Sequence, residues 1–354
     1  MSSEQPSLRG IAATIGDIDA ASDETLLRAG LDRAVDAVAA ELRAHTPALA
    51  LAAAWSEVLR RGVAAAARIA SQSGAPSEAP KWTWFVSGSV ARGEAVPGSD
   101  VETMVVIADA CDDEAKAALL ARAADVHALL ERCGIRGDAN GVLASRPRFC
   151  RRLGSWAEGI EAWTERPGED RGVVMTGLMA DSTRVWGELD LTDDALRSRN
   201  LTAAGRSYPV RQAMLQDATA VRASFPSRLR VFTTHADTVD LKLVAVDPVV
   251  KIARWAGLTA ASDALSTTQR LEAAAIAKVL DADDVSSLRD CFEWLVRFRW
   301  RLRAAAFLDG RRVSDLVSLS ETAPQERAML RSVAREVAGV SRKLTFLAST
   351  SSFR

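Results

Sequence analysis

The chain has 354 residues, more than one hydrophobic core normally serves, so two or three domains are expected and a small stapled module is excluded. Hydrophobic residues make up 48% and charged residues 26%, a balance that excludes a mainly disordered chain. With 45 Lys+Arg against 46 Asp+Glu the formal net charge is -1, which argues against nucleic acid or an anionic membrane surface as a partner.

The first pattern in the chain is helical. Leu27, Leu31, Val35, Val38 and Leu42 recur at three- and four-residue spacing with charges between them, and Trp55, Leu59 and Val63 mark a second helix. Ser71 to Pro80 is rich in Ser, Pro, Gly and Ala and reads as a linker, which sets residues 1–80 apart as an N-terminal helical segment.

Short apolar runs then alternate with helices. Trp84–Ser87 and Met104–Ile107 are expected to be neighbouring strands joined by the loop Gly88–Ser99. Trp82 and Trp84 at the first strand are assigned to packing. Asp112 caps a helix that runs to about Cys133, with Gly134 as its stop. Gly141–Ala144 is expected as a third strand. A helix then opens at Pro147, carries Phe149, Leu153, Trp156, Ile160 and Trp163 on one face, and closes at Pro167-Gly168. Val173–Met179 is expected as one more strand.

Beyond Asp193 strand signals nearly vanish. Leu288, Phe292, Leu295, Arg299 and Leu302 trace one helix, and Leu330, Val333, Val337, Val340 and Leu344 another, the spacing of an antiparallel bundle. Arg297, Arg299, Arg301 and Arg303 alternate along the first of these; two-residue spacing scatters them around a helix rather than forming one binding stripe. The fold class is therefore α+β, mainly helical. A small mixed-sheet domain at 81–192 is flanked by the N-terminal segment and by a helical bundle at 193–354.

Cys111, Cys133, Cys150 and Cys291 stand singly, His45, His127 and His235 show no ligand spacing, and no apolar run approaches the length of a membrane span. Met1 to Arg9 lacks the apolar core of a secretory signal, so a reduced cytoplasm is the expected compartment.

The chemistry concentrates in Phe85–Ile107, FVSGSVARGEAVPGSDVETMVVI. Asp100 and Glu102 stand two apart at the start of the second strand, so both carboxylates project to one side. Their mutual repulsion is resolved by a divalent cation, and Mg²⁺ takes one or two carboxylates together with substrate phosphates. Gly88 allows close backbone approach to a phosphate, Ser89 donates a hydroxyl, and Arg92 offers a charge-assisted contact.

Strand, Gly-Ser, loop, then Asp-x-Glu before another strand resembles the signature of the polymerase-beta-type nucleotidyltransferase superfamily. GSVARGE followed by GSDVE is similar to the branch that holds the uridylyltransferase of nitrogen regulation and the adenylyltransferase of glutamine synthetase. Glu102 stands where many of these relatives have Asp. Downstream, VDLKLVAVDPVVKIARWAGL, STTQRLEAA and LVRFRWRLR resemble the helical C-terminal substrate-binding domain of a nucleotidyltransferase family, and GVLASRPRFCRRLGSWAEGIEAW and ADSTRVWGE resemble its middle section.

The resemblance implies in-line attack of a hydroxyl on the α-phosphorus of a nucleoside triphosphate. The metal, Mg²⁺ or Mn²⁺, would be held by Asp100, Glu102 and a third carboxylate, for which Asp138 is the first candidate and Asp181 the second. Gly88, Ser89, Arg92, Lys242 and Arg254 are the nucleotide-binding candidates, while Lys251 reads as an ordinary solvated or helix-pairing charge. The acceptor is an unidentified protein or small molecule. Two rival readings are a catalytically inactive nucleotide-binding regulator and an RNA-directed nucleotidyltransferase, the latter disfavoured by the near-neutral charge.

Overall fold

The computed structural model describes residues 8–72, 80–220 and 237–351. Most of the expected linker and His235 lie outside the described residues. The chain is mainly helical with a small mixed sheet, and it folds into two compact units. One is built from Met1–Glu161, Leu178–Arg199 and Phe307–Arg311, the other from Ala162–Gly177, Asn200–Ala306 and Arg312–Arg354.

The first unit opens with three helices, α1 (Arg9–Ala20), α2 (Glu24–Arg43) and α3 (Ala48–Gln72). Asp23 caps α2 by accepting the Leu26 amide at 3.0 Å, and Leu27, Leu31, Ala34 and Val38 bury its apolar stripe. Helix α1 has no counterpart in the sequence reading, because its stripe is short and interrupted by Gly16; it forms by burying Ile11 and Ile18.

The sheet comprises β1 (Trp82–Ser87), β2 (Glu102–Ile107), β3 (Cys150–Arg152) and β4 (Thr183–Gly187) in the order β3-β2-β1-β4. Strand β1 is antiparallel to both neighbours, whereas β2 and β3 run parallel. All six residues of β1 are buried, so this central strand is covered on both faces. Trp82 and Trp84 lie in this core, 1% and 0% exposed, their rings edge to face at 5.4 Å. Between β1 and β2 the chain makes the single turn α4 (Gly88–Ala91), and α5 (Asp113–Arg132) follows β2. The Asp112 cap is as expected, accepting Ala115 N at 2.8 Å, and Gly134 stops the helix at φ +85°.

The expected separation of an N-terminal segment at residue 80 differs from this arrangement. Helix α3 packs on α5, β4 and α4 and belongs to the same compact unit as the sheet.

Three local expectations also differ. Gly141–Ala144 is not a strand: the Asp138 carboxylate accepts Val142 N at 2.9 Å and Gly141 takes φ +86°, which curls the backbone into a turn. The third strand falls instead at β3, and the helix expected from Pro147 begins later, as α6 (Leu153–Glu165). The run Val173–Met179 is helical, within α7 (Gly172–Ala180). A short apolar run has no periodicity to separate strand from helix, and the strand that follows is the β-branched and aromatic TRVWG of β4.

The remaining helices are α8 (Ala195–Arg206), α9 (Tyr208–Ala220), α10 (Asp247–Thr259), α11 (Thr267–Ile276), α12 (Ala282–Leu308) and α13 (Pro324–Ser351). A π-helical turn, Lys242–Val246, leads into α10, and β5 (Thr238–Asp240) pairs with β6 (Leu316–Ser318). Helix α12 shows what its alternating arginines do. Arg299 donates twice to Asp315 at 2.8 Å and Arg303 once at 3.2 Å, all three side chains being nearly buried. Burial works against the Asp315 charge, but Arg299 and Arg303, with Lys242, outweigh it and hold the carboxyl below its usual range. No helix among the described residues is long and apolar enough to cross a membrane.

Asp315→Asn leaves two guanidinium groups without their counter-charge and should cost about 3 kcal/mol, read from the urea midpoint at constant slope. On α5, burial lowers the His127 pKa from 6.5 to about 4. The unfolded chain then binds the extra proton first, so this contribution is intact above pH 6.5 and is lost as pH falls toward 4, by at most about 3 kcal/mol. His127→Gln should flatten the stability profile in that window.

Candidate active site

The register of β1 and β2 places Glu102 opposite Ser87, the last residue before the α4 turn. Gly88 enters that turn at φ +64°, a left-handed conformation that side chains disfavour. A Cβ added there would fall 2.5 Å from Glu102 Oε2 and 2.9 Å from its Cδ. The Glu102 carboxylate therefore lies directly over the bend, and only glycine leaves room for it.

Val101 is 1% exposed and forms a parallel bridge to Gly137. Asp100 directly precedes that bridge, and Glu102 opens β2 two residues later. Asp100 is half-exposed, and among the described residues no hydrogen bond or ion pair holds its carboxylate. Ser89 is also half-exposed, and its Oγ makes no hydrogen bond among the described residues. Two oxygen acids, a free hydroxyl and a glycine bend thus meet at the same end of the β1–β2 pair. Their hard oxygen donors suit a divalent cation of the Mg²⁺ type when phosphate oxygens complete its shell.

The loop beyond α4 is held from three directions. Arg92 Nε donates to Glu94 at 2.7 Å and Arg92 Nη1 donates to Asp181, the residue two before β4. All three side chains are buried, at 8%, 6% and 1% exposure. Burial alone disfavours the guanidinium charge, but Asp181 and then Glu94 outweigh it and keep the arginine charged beyond its ordinary range. Ser87 Oγ donates to Leu178 O at 2.8 Å, a second tie toward β4. From α3, Ser56 Oγ accepts the Ala95 amide at 2.9 Å while donating to Ala52 O at 2.7 Å.

These contacts revise several expectations. Arg92 is not presented as a phosphate contact; its guanidinium is committed to two carboxylates inside the fold. The Asp138 amide does reach Val101 O at 3.1 Å, but its carboxylate accepts Val142 N and, at 3.2 Å, Asn140 Nδ2. It braces its own turn, and among the described residues no three His, Cys, Asp or Glu side chains converge as a metal site. The expected set Asp100, Glu102 and Asp138 is therefore not assembled. Asp181 is ion-paired with Arg92.

Lys242 and Arg254 belong to the second unit. Lys242 is exposed near Asp315, and the Arg254 guanidinium packs beside Gly177. Lys251 pairs with Asp217 at 2.9 Å, an ordinary charge pair. Sequence reasoning missed Ser56 and Ser87. The only signal for Ser56 is a lone serine on the buried Ala52, Trp55, Leu59 and Val63 face of α3.

Two family models match the chain. Residues 33–170 match the model described as Putative nucleotidyltransferase DUF294, and residues 209–347 match the one described as Putative nucleotidyltransferase substrate binding domain. No curated protein matches.

Gly88→Ala should lower stability by about 2 kcal/mol, combining left-handed strain with displacement of Glu102. The pair should couple: in Gly88→Ala/Glu102→Ala the new methyl meets no carboxylate, so denaturant unfolding should give a loss smaller than the sum of the two single variants.

Proposed function

Starting from a chain that belongs to the nucleotidyltransferases defined by these two family domains, we propose that it transfers a nucleoside monophosphate from a nucleoside triphosphate to a hydroxyl acceptor on a protein or small molecule. The observation that carries this reading is the Glu102 carboxylate seated over the left-handed Gly88 bend, with Asp100 two residues before it.

In this reading Asp100 and Glu102 would hold Mg²⁺ or Mn²⁺, whose chemistry when bound would be neutralisation of phosphate charge. The Ser89 hydroxyl and the amides of the Gly88 turn donate to phosphate oxygens, aided by the absence of a side chain at Gly88. The acceptor oxygen bonds to the α-phosphorus as the bond to pyrophosphate breaks. Arg92 acts at a distance: by clamping Glu94 and Asp181 it keeps the phosphate-binding turn in one position, so little reorganisation accompanies the reaction. The proton of the attacking hydroxyl would pass to solvent water, because the Asp138 carboxylate is already engaged.

A second reading draws support from that same engagement. With Asp138 and Asp181 both committed elsewhere, the pair Asp100 and Glu102 would suffice to bind a metal–nucleotide complex in a regulator that performs no transfer.

Purified protein incubated with each α-labelled nucleoside triphosphate, Mg²⁺ or Mn²⁺ and a cell lysate should label an acceptor and release pyrophosphate. Asp100→Asn should reduce labelling by at least about 100-fold, some 2.7 kcal/mol of transition-state stabilisation, with an unchanged circular dichroism spectrum. Nucleotide binding by calorimetry without pyrophosphate release would favour the regulator, and full labelling by Asp100→Asn would end the transferase reading.

A further inference from the structure

A small pocket of about 220 Å³ opens on the second unit between α12 and the first turns of α13. Trp294 and Phe298, one helical turn apart on α12, form its aromatic floor, with ring centroids 4.9 Å apart and planes inclined by 14°. Met329 of α13 lines the other side and is 44% exposed, an adaptable thioether beside two rings.

Two arginines at the rim have different partners. Arg301 lies 5.2 Å over the Phe298 ring and is ion-paired to Glu326, so its charge is compensated. Arg297 is exposed, lines the same pocket, and has no ion-pair partner among the described residues. An aromatic floor with one uncompensated guanidinium beside it is complementary to an apolar ring that carries a carboxylate next to it.

Size decides what kind of molecule brings that pair. Pockets that enclose a whole small molecule usually span about 300–1,000 Å³. This one is smaller, and much of its lining is open to solvent, so it accommodates one side chain while the rest of the ligand lies outside. The geometry points to a docking site for a protein segment that presents an aromatic side chain immediately beside an Asp or Glu. The pocket falls within residues 209–347, the stretch matched by the substrate-binding model. Resting on the transferase reading above, the segment belongs to the acceptor, which makes the acceptor a protein.

The test uses the full chain without nucleotide, so that its outcome is independent of transfer. A fluorescein-labelled peptide Ala-Ala-Glu-Phe-Ala-Ala is titrated by anisotropy, beside versions with Gln for Glu or Ala for Phe. The parent peptide should bind saturably, and each altered peptide should bind about tenfold more weakly, the scale of one charge-assisted contact or one buried ring. Arg297→Gln should weaken the parent peptide about tenfold and leave the Gln peptide unchanged. Met329→Trp, which fills the pocket, should abolish binding of all three. Absence of saturable binding at millimolar protein, or equal affinity in Arg297→Gln, overturns the proposal. So does equally tight displacement by N-acetylphenylalanine, which would make the ligand a free aromatic acid.

Discussion

Arg92 is the interaction on which the geometry of the first unit rests. A buried guanidinium without counter-charge would be untenable, so Glu94 from the same loop and Asp181 from the approach to β4 must stay beside it. That requirement joins the turn after β1 to a segment almost ninety residues later. With the Ser87 tie to Leu178 it fixes the bend that Gly88 makes and hence the place where Glu102 lies. The two carboxylates at the site are partly exposed, while the ion cluster that positions their surroundings is closed to water. Such a division lets the exposed groups change partners without disturbing the frame.

The elements with a repeating signal were legible in the sequence. The apolar spacing of α2, the Asp112 cap and Gly134 stop of α5, and the facing strands β1 and β2 all follow from patterns of a few residues. The position of Glu102 at the start of β2 was legible for the same reason, because a strand's apolar pattern is local. What was not legible depended on who sits beside whom in space. Asp138 and Arg92 carry the residue types that a phosphate or metal site would use, and nothing in their neighbours along the chain says that Val142 N or Asp181 will claim them. Val173–Met179 was misread because a continuous apolar run lacks a period, and α1 was missed because its stripe is too short to stand out.

The second unit repeats the lesson on α12. Four arginines at alternate positions are scattered around the helix, and they divide by environment. Arg299 and Arg303 turn inward to share Asp315, the exposed Arg301 is matched by Glu326, and the exposed Arg297 has no ion-pair partner among the described residues. One helix thereby supplies both an internal brace and a surface recognition element, with the helical period deciding which residue serves which purpose.

The hydrogen bond from Ala95 to Ser56 bears on how this region can be cut out or recombined. A fragment beginning at β1 would retain the whole glycine-to-glutamate stretch but lose the helix that supports its loop from beneath. The Ala95 amide would lose its partner and an alanine-rich helical face would be missing from the sheet's cover. The smallest portable version of this unit therefore starts ahead of α3, and a graft or fusion made at the Ser/Pro-rich stretch would carry the chemistry without its foundation.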